Sequence, residues 1–312
     1  MIFKKALVTG GAGFIGSHLA EGLLAEGVAV RVLDDLSVGL EANVPDGAEF
    51  VRGDIRDARA VQKALDEIDI VFHLAAKVSI RGSIEKFRED ADVNLMGTIN
   101  VLEAAHRAGA KKLILASSMA VYADAAQPDP VDESHALAPI SPYGVAKLAA
   151  ERYWQLLGQT SGIETCALRY FNTYGPRQGF TPYVGVITIF INRLLAGEKP
   201  VIFGDGEQRR DFIYVGDIVK ANILAMKTHC PGEIFNVGTG HATSVNEIAA
   251  LLAEKISPGI EAVYSGEQAG ELKNSIADIS RAARILGYAP EGVLENRIDE
   301  VIAWNRELGG GE

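Results

Sequence analysis

Apolar residues alternate between two patterns over about the first 170 positions of the chain. Short apolar runs that end at glycine or polar residues are typical of buried strands, as in "KALVTG", "VAVRVLDD", "EFVRGDIRD", "IDIVFHLAA", "KKLILASS" and "IETCALRYFN". Segments with helical spacing lie between them, and the clearest are "FIGSHLAEGLLAEG" and "SPYGVAKLAAERYWQLLGQTSG". This alternation predicts right-handed βαβ units and a mostly parallel sheet, which is a doubly wound α/β (Rossmann) fold.

The alternation weakens after about residue 170, which predicts a second, smaller lobe. "TYGPRQGFTPYVG" is rich in Gly, Pro and polar residues and predicts a loop. A helix near 184–196, a strand "PVIF", the loop "GDGEQRRDF" and a mainly helical tail in three segments follow. We expect a large domain of residues 1–169 and 213–242, and a smaller, mainly helical lobe of residues 170–212 and 243–312.

Composition narrows the range of partners. The 312 residues include 30 Lys and Arg against 41 Asp and Glu, a formal net charge of −11, which argues against nucleic acid or an anionic membrane as a general partner. No apolar run reaches the roughly 18 residues of a membrane span, and the N-terminal segment predicts a strand rather than a signal sequence. Cys166 and Cys230 stand far apart without a CxxC spacing, so we expect no metal site and a reducing, cytoplasmic setting.

A glycine-rich turn lies between the first predicted strand and the first predicted helix, in "VTGGAGFIGSH". Gly11, Gly13 and Gly16 satisfy G-x-G-x-x-G, and Gly10, Gly13 and Gly16 give a G-x-x-G-x-x-G spacing. Either spacing lets the backbone turn tightly and approach a pyrophosphate at a helix N-terminus. The strand and helix on either side are the context that supports a dinucleotide site.

Two acidic residues follow the next strands. Asp34 ends the second strand, where a carboxylate accepts hydrogen bonds from the ribose hydroxyls of NAD and repels the 2′-phosphate of NADP. The alternative is that Asp34 only caps a turn. Asp54, in "RGDIRD", could face the adenine amino group or could N-cap the next helix.

A tyrosine and a lysine stand one helical turn apart in "SPYGVAK". Free tyrosine has a pKa of about 10, and the Lys147 ammonium is expected to lower the pKa of Tyr143. Such a pair is also common on solvated helices. Ser118, at the carboxyl end of the strand "KKLILASS", favours the functional interpretation because strand ends face the ligand crevice of this fold. A serine donor and a phenolate acceptor can bind a secondary alcohol and take its proton while a hydride leaves; the alternative for Ser118 is capping of the next turn.

The motifs "TGGAGFIGSH", "DDLSVG", "GDIRD", "HLAA", "SSMAVY", "SPYGVAK", "LRYFNTYGPRQ", "GDGEQRRDFIYVGD" and "NVGTG" occur in an order that resembles the extended short-chain dehydrogenase/reductases. Within them, the chain is similar to the NAD-dependent nucleotide-sugar 4-epimerases. The resemblance implies that the larger domain binds NAD, that the smaller lobe binds a UDP-sugar, and that Ser118, Tyr143 and Lys147 are catalytic. It places on the NAD site Gly10, Gly13, Phe14, Ile15, Gly16, Asp34, Asp35, Ser37, Gly39, Asp54, Ile55, Leu74, Ala75, Ala76, Asn94, Tyr143, Lys147 and Phe171.

The reaction that the resemblance implies is C4 epimerisation of a UDP-hexose through a 4-keto sugar. Related dehydratases and decarboxylases carry acidic residues just after the strand-end serine or threonine, where this chain has Met119 and Ala120. Neither side chain transfers protons, which argues against elimination. Glu133 is a candidate substitute for a dehydratase or reductase, and a non-catalytic NAD-binding protein is a third hypothesis.

The resemblance also implies a substrate half. It places Ser118, Tyr143, Asn172, Val186 and Arg210 on the sugar nucleotide, with the Arg210 guanidinium on the diphosphate. The alternative for an arginine in this loop is pairing with Asp205 or Asp211.

Further along the chain, "QAGE" departs from the family pattern. Gln268 replaces an arginine that contacts phosphate, and Arg193 is a candidate for compensating the lost charge. Glu271 keeps the acid that contacts the ribose. Ser275 replaces a bulky aromatic of glucose-only enzymes, which predicts room for an N-acetyl group.

The resemblance implies a homodimer as well. Helices near 85–108 and 141–161 would pair across a two-fold axis through the faces that carry "NVLEAAHRAG" and "AAERYWQLL".

Overall fold

Parallel strands form the central sheet of the computed structural model, which describes residues 3–125, 129–179, 185–266 and 274–309. The strands of the chain are β1 (Lys5–Thr9), β2 (Ala29–Asp34), β3 (Glu49–Arg52), β4 (Ile70–His73), β5 (Lys112–Ser118), β6 (Glu164–Tyr170), β7 (Asn172–Tyr174), β8 (Val201–Phe203), β9 (Arg209–Arg210), β10 (Phe212–Tyr214), β11 (Ile234–Val237), β12 (Thr243–Ser244), β13 (Val263–Ser265) and β14 (Asn274–Ser275). Seven of them form one sheet in the order β11-β6-β5-β4-β1-β2-β3. Every pairing in this sheet is parallel, as the alternating pattern predicted.

Helices connect these strands. They are α1 (Phe14–Ala25), α2 (Ala58–Ala64), α3 (Ile80–Glu85), α4 (Phe87–Ala91), α5 (Thr98–Ala108), α6 (Pro142–Ser161), α7 (Val186–Leu195), α8 (Val215–Lys227), α9 (Val245–Ile256), α10 (Ser280–Leu286) and α11 (Leu294–Gly309). A π-helical segment, Asp92–Gly97, joins α4 to α5. The Ser141 hydroxyl accepts a hydrogen bond from the Gly144 N–H and Pro142 occupies the first turn, so α6 begins at the predicted Ser-Pro.

Two apolar cores cover the two faces of the sheet. One contains Leu19 and Leu23 of α1 together with Phe72 and Phe235 of the sheet. The other contains Val71 and Leu113 with Trp154 of α6. Successive strand residues point to opposite faces, so a sheet covered on both sides needs strands that are apolar throughout. The doubly wound fold predicted from those apolar runs is therefore confirmed.

A smaller set of elements forms a third core with Ile187 and Phe190 of α7, Ile248 of α9 and Ile298 of α11. The short strands around it, such as β9 and β14, were not predicted because two or three residues carry no readable periodicity. Ala282, Leu286 and Tyr288, in and after α10, pack into the first core of the large sheet. Since side-chain contacts run between the two predicted parts, the boundaries of the two lobes stay a prediction.

No helix among the described residues is both long and apolar enough to cross a bilayer. Within the same residues, no group of His, Cys, Asp and Glu side chains is arranged to hold a metal ion.

A buried ion pair joins α6 to the sheet. The Arg169 Nη2 and Glu151 Oε2 atoms are 2.7 Å apart, and both side chains are at most 1% exposed. Arg169 Nε also donates to Glu151 Oε1, and Arg169 Nη1 donates to the Tyr122 hydroxyl. Desolvated charges of this kind are tolerated only when both partners are present.

We predict that Arg169→Met lowers the free energy of unfolding by about 3–5 kcal/mol, because the Glu151 carboxylate stays buried without its partner. Denaturant unfolding followed by circular dichroism measures the loss. Arg152→Met, which removes an exposed arginine of α6, is the matched control and is expected to change stability by less than about 0.5 kcal/mol. Equal losses in the two variants would contradict the prediction.

Candidate active site

The glycine-rich turn between β1 and α1 has the geometry of a phosphate cradle. Gly10 has φ +70°, and a Cβ on Gly16 would lie 2.1 Å from the Gly10 carbonyl oxygen, so only glycine fits at position 16. Gly13 is the N-cap of α1, and no side chain of the described residues hydrogen-bonds to this helix N-terminus. Backbone N–H groups at such a terminus favour an anion, and the first turn begins with Phe14 and Ile15. The turn therefore fits a pyrophosphate.

Asp34 stands at the carboxyl end of β2 and organises the same turn. Its carboxylate accepts hydrogen bonds from the Ala12 N–H at 3.0 Å and the Leu36 N–H at 2.9 Å. Burial raises the pKa of Asp34, and these two N–H groups oppose that effect. The turn-capping interpretation is thus found in the structure, while the role of Asp34 toward the ribose stays a prediction.

The loop after β2 folds back over the glycine turn. A Cβ on Gly39 would lie 2.8 Å from the Ala12 carbonyl carbon, and the Leu40 N–H donates to the Ala12 carbonyl oxygen. The Asp35 carboxylate accepts a hydrogen bond from the Ser37 N–H, and both residues lie at the open edge of the loop.

Asp54 does not cap the helix that follows it. Asp57 is the N-cap of α2, with its side chain accepting from two backbone N–H groups. The Asp54 carboxylate instead pairs with Arg56 at 2.6 Å, and this partner lowers the pKa of Asp54. The capping alternative is wrong, and the contact of Asp54 with adenine stays a prediction. Ile55 beside it is buried beneath Gly97.

The remaining predicted cofactor residues surround the ends of β4 and β6. The Leu74 N–H donates to the Thr9 carbonyl oxygen, and the Ala75 N–H donates to the Thr9 hydroxyl, which places residues 74–76 beside the glycine turn. Asn94 is buried in the π-helical segment, where its side chain exchanges two hydrogen bonds with the Lys77 backbone. Phe171, directly after β6, is buried.

Ser118, Tyr143 and Lys147 meet at the carboxyl end of β5. The Ser118 side chain lies beside the Tyr143 hydroxyl and acts to lower the pKa of that phenol. Lys147 Nζ donates to the Ala116 carbonyl oxygen at 2.9 Å and lies 5.9 Å from the centroid of the Tyr143 ring. Ser118 also accepts a hydrogen bond from the Ala120 N–H, so the capping alternative for Ser118 holds alongside its contact with Tyr143.

Burial sets the acidity of these groups. It raises the pKa of Tyr143 to about 12, against the lowering effect of the hydrogen bond with Ser118. Burial likewise lowers the pKa of Lys147 to about 8. The sequence predicted a pKa of Tyr143 below its ordinary value, and this prediction is wrong because transfer out of water disfavours the phenolate more than the surroundings of the ring stabilise it.

The two residues that follow Ser118, and the candidate Glu133, provide no second proton carrier. Met119 and Ala120 follow Ser118 in a short 3-10 turn. Glu133, the candidate substitute, accepts a hydrogen bond from the Asn236 N–H at 2.7 Å and lies 3.4 Å from the Arg281 Nε atom. Its two carboxylate oxygens are thereby engaged in structural contacts.

The predicted substrate residues fall on the smaller strands near this end of the sheet. Asn172 begins β7 and donates from Nδ2 to the Asp211 carbonyl oxygen at 3.2 Å. Ser275 lies opposite Arg210 in the pairing of β14 with β9, and its buried hydroxyl makes no hydrogen bond with the described residues. Val186 is the first residue of α7.

The predictions for the segment "QAGE" and for Arg193 have different outcomes. Glu271 and Gln268 lie outside the described residues. Arg193 donates to the Lys199 carbonyl oxygen and pairs with Glu198 at 3.2 Å, which ties this proposed compensating cation to the turn after α7.

Sequence reasoning missed the polar residues that support the site. Asp211 is fully buried, and its carboxylate accepts hydrogen bonds from the Thr239 N–H, the Thr239 hydroxyl and the Gly240 N–H. These hydrogen bonds engage the Asp211 carboxylate, which the sequence analysis gave as an alternative partner for a loop arginine. Glu151 and Arg169 were missed as well, although a charged residue inside the apolar run "ETCALRYF" is a signal for a buried partner.

Comparison with known proteins agrees with this geometry. The model of the NAD dependent epimerase/dehydratase family matches residues 6–238. A putative UDP-glucose 4-epimerase of Methanocaldococcus jannaschii is 43% identical over 302 residues, which cover 96% of this chain and 97% of that protein. The chain belongs to the NAD-dependent epimerase/dehydratase family, as its motifs predicted.

Solved structures show the same likeness. The UDP-glucose 4-epimerase of Thermotoga maritima, with UDP-glucose, has a TM-score of 0.94 and 39% identity, over 97% of this chain and 99% of that one. The UDP-N-acetylglucosamine 4-epimerase of Methanobrevibacter ruminantium, in complex with UDP-N-acetylmuramic acid, has a TM-score of 0.93 and 36% identity, over 99% of this chain and 100% of that one. Both likenesses extend through the predicted substrate lobe.

Proposed function

We propose that the protein catalyses the NAD-dependent C4 epimerisation of a UDP-hexose through a transient 4-keto sugar. The observation that carries the proposal is the meeting of Ser118, Tyr143 and Lys147 at the end of β5, with Lys147 Nζ 5.9 Å from the centroid of the Tyr143 ring. When bound, NAD supplies reversible oxidation and reduction at C4 of the sugar. The protein must then move a single proton at the 4-hydroxyl and return it.

Each of the three residues has a role in that proton transfer. Tyr143 takes the proton of the 4-hydroxyl and gives it back, as a general base and then a general acid. To the Ser118 hydroxyl, which lies beside Tyr143, we assign a hydrogen bond that orients the phenol toward the sugar oxygen. Lys147 supplies a positive charge that favours the phenolate, and a pKa of about 8 leaves it largely protonated at neutral pH.

The surroundings of Tyr143 support epimerisation over elimination. A dehydratase or decarboxylase needs a further group to transfer a proton or to polarise the departing group. Met119 and Ala120 cannot do this, and Glu133 is hydrogen-bonded elsewhere. These residues support the transfer of one proton from the sugar 4-hydroxyl to Tyr143 and its return.

The same residues would hold NAD. We assign the pyrophosphate to the turn of Gly10, Gly13 and Gly16, because a Cβ on Gly10 or Gly16 would lie within 3 Å of backbone atoms, so glycine is what lets the turn close tightly at the N-terminus of α1. Asp34 retains lone pairs for the ribose hydroxyls after accepting two backbone hydrogen bonds. A carboxylate at this point selects NAD over NADP.

The substrate half supports a nucleoside diphosphate. Arg210 in β9 and Asn172 in β7 lie on strands that flank Asp211, and Asp211 fixes the loop of residues 239–240. The guanidinium of Arg210 and the amide of Asn172, held by neighbouring strands, can donate hydrogen bonds to the oxygens of a diphosphate.

Interconversion of UDP-glucose and UDP-galactose at this site would place the protein in galactose and nucleotide-sugar metabolism. We place it in the cytoplasm, where Cys166 and Cys230 stay reduced.

An apolar groove supports a homodimer. It has a volume of about 570 Å³, lies between α4 and α6, and is lined by Phe87, Ile140 and Val145 among others. Phe87 is 67% exposed and Leu156 of α6 is 56% exposed. The apolar residues of "NVLEAAHRAG" on α5 are instead buried in the sheet core, so α4 and α6 supply the face that a second copy would cover.

Incubation with UDP-GlcNAc or UDP-Gal without added cofactor, followed by NMR of the sugar, tests the proposed reaction. We expect a C4 epimer; a keto or deoxy product would indicate a dehydratase or reductase, and no change despite bound NAD would indicate a non-catalytic protein. Tyr143→Phe should keep NAD bound and lower kcat by at least about 10²-fold, because the proton carrier is removed. Tyr153→Phe, on the exposed side of α6, is the control, and full activity in Tyr143→Phe would contradict the assignment.

We predict that Ser275→Tyr removes activity on UDP-GlcNAc before activity on UDP-glucose, by roughly tenfold or more in the ratio of kcat/KM. The reason is steric, because a phenol at this buried position fills the space left for an N-acetyl group. Ser275→Ala should keep both activities, since the hydroxyl makes no hydrogen bond with the described residues. Equal losses on the two substrates in Ser275→Tyr would show that this position is no gate.

We predict that Leu156→Asp weakens self-association by roughly 10- to 100-fold, because a carboxylate would have to be buried at the interface. Light scattering after size exclusion measures the mass across a dilution series. Leu308→Asp, at a 60% exposed position of α11, is the control. A wild-type protein that is monomeric at tens of micromolar would contradict the dimer.

A further inference from the structure

Asp90 is a buried carboxylate that the roles assigned above do not use. Its side chain lies in α4 and is 2% exposed. Oδ1 accepts a hydrogen bond from Asn94 Nδ2 at 2.8 Å, whereas Oδ2 is buried and makes no hydrogen bond with the described residues. Leaving a buried carboxylate oxygen without a donor is costly, so Asp90 needs a compensating charge nearby.

The compensating charge belongs to Lys147. Helix α4 packs on α6, and Asp90 lines the same groove as Ala146, the neighbour of Lys147 in α6. Among the acidic groups that act on the Lys147 ammonium, Asp90 has the largest effect and Glu151 the next. Lys147 is 3% exposed, so little water screens this attraction.

The other groups that face Lys147 cannot replace Asp90. Glu151, on the same helix, is neutralised by Arg169. His73, on β4, is fully buried and has a pKa of about 3 because burial disfavours its charged form, so it is neutral. Tyr143 is protonated at neutral pH, and Lys77, which acts on Asp90 from the loop after β4, is paired with Glu89. Burial raises the pKa of Asp90, and Asn94, Lys147 and Lys77 oppose that effect, so the charges of Asp90 and Lys147 support each other inside the protein.

We propose that Asp90 is a positioning residue that keeps Lys147 positively charged, so that Tyr143 faces a cation when it exchanges its proton. The effect on the charge of Lys147 follows from burial and proximity alone. Its catalytic consequence rests on the proposed epimerase function.

Asp90 raises the pKa of both Lys147 and Tyr143, and these two effects favour opposite charge states: the ammonium of Lys147 and the neutral phenol of Tyr143. Removing the charge lowers both pKa values. A lower pKa of Lys147 brings loss of the cation to lower pH, and direct titration of Lys147 separates this effect from the change at Tyr143.

NMR of protein labelled with ¹³C at lysine Cε, purified with its bound cofactor, tests the proposal directly. The Lys147 resonance is assigned by its absence in Lys147→Arg. We expect a titration midpoint near pH 8 in the wild type, and a midpoint lower by about one pH unit in Asp90→Asn. Asp92→Asn, an exposed acid two residues along, should leave the midpoint unchanged.

The pH profile of kcat/KM on a UDP-hexose is the second measurement. The breakpoint that coincides with the Lys147 titration should move down in Asp90→Asn by the same amount as the Lys147 midpoint, and Asp90→Glu should move it back toward the wild type. Asp90→Ala serves as a second uncharged variant where the amide does not fold.

An unchanged Lys147 midpoint in a folded Asp90→Asn or Asp90→Ala variant would overturn the inference, and so would a pH profile in which no breakpoint follows the Lys147 midpoint. A shifted midpoint in a wild-type protein that does not epimerise sugars would support the charge inference and refute the proposed function instead.

Discussion

The buried pair of Glu151 and Arg169 is the contact on which the arrangement of the site depends. It joins the middle of α6 to β6, and Glu151 Oε1 also accepts a hydrogen bond from the Ser117 hydroxyl at 2.5 Å. Ser117 directly precedes Ser118 on β5, and Glu151 follows Lys147 by one turn of α6. One carboxylate thus aligns the strand end with the helix. Buried ion pairs contribute little net stability, so we infer that this pair specifies the register of α6 against the sheet.

Burial of the Tyr143 and Lys147 pair has a chemical consequence. A phenol with a pKa of about 12 is protonated at neutral pH and is a poor base by itself. In the proposed reaction, its ionisation would require positive charge from Lys147 and from an oxidised nicotinamide ring. Base strength would then be tied to the presence of the group that accepts electrons, and proton transfer would be limited to the occasions when oxidation can follow.

The sequence predicted the large sheet because its strands are apolar throughout and are separated by helices of ordinary length. It predicted the glycine turn and the start of α6 because Gly13, Gly16 and Ser141 act locally, within a few residues of each other. The strands β9, β12 and β14 escaped prediction because they depend on partners far along the chain.

The pKa values and charge pairs of the site were not predicted either, because they also depend on residues far along the chain. The pKa of Tyr143 depends on how deeply α6 is covered, and the engagement of Glu133 depends on Asn236 and Arg281. Spacing along a chain shows which groups can meet. It does not show how much water is left around them.

The π-helical segment Asp92–Gly97 joins α4 to α5, and its number of residues sets how these two helices are rotated relative to each other. An α-helix turns by about 100° per residue, so a residue added to or removed from this segment rotates α4 relative to α5. Asn94 lies inside this segment and hydrogen-bonds backward to Asp90, while its carbonyl oxygen accepts a hydrogen bond from the Thr98 hydroxyl. A one-residue deletion here would keep every other side chain and yet turn α4 relative to α6. At this point of the fold, the number of residues determines how α4 faces the site, as the chemistry of its side chains determines what it contributes there.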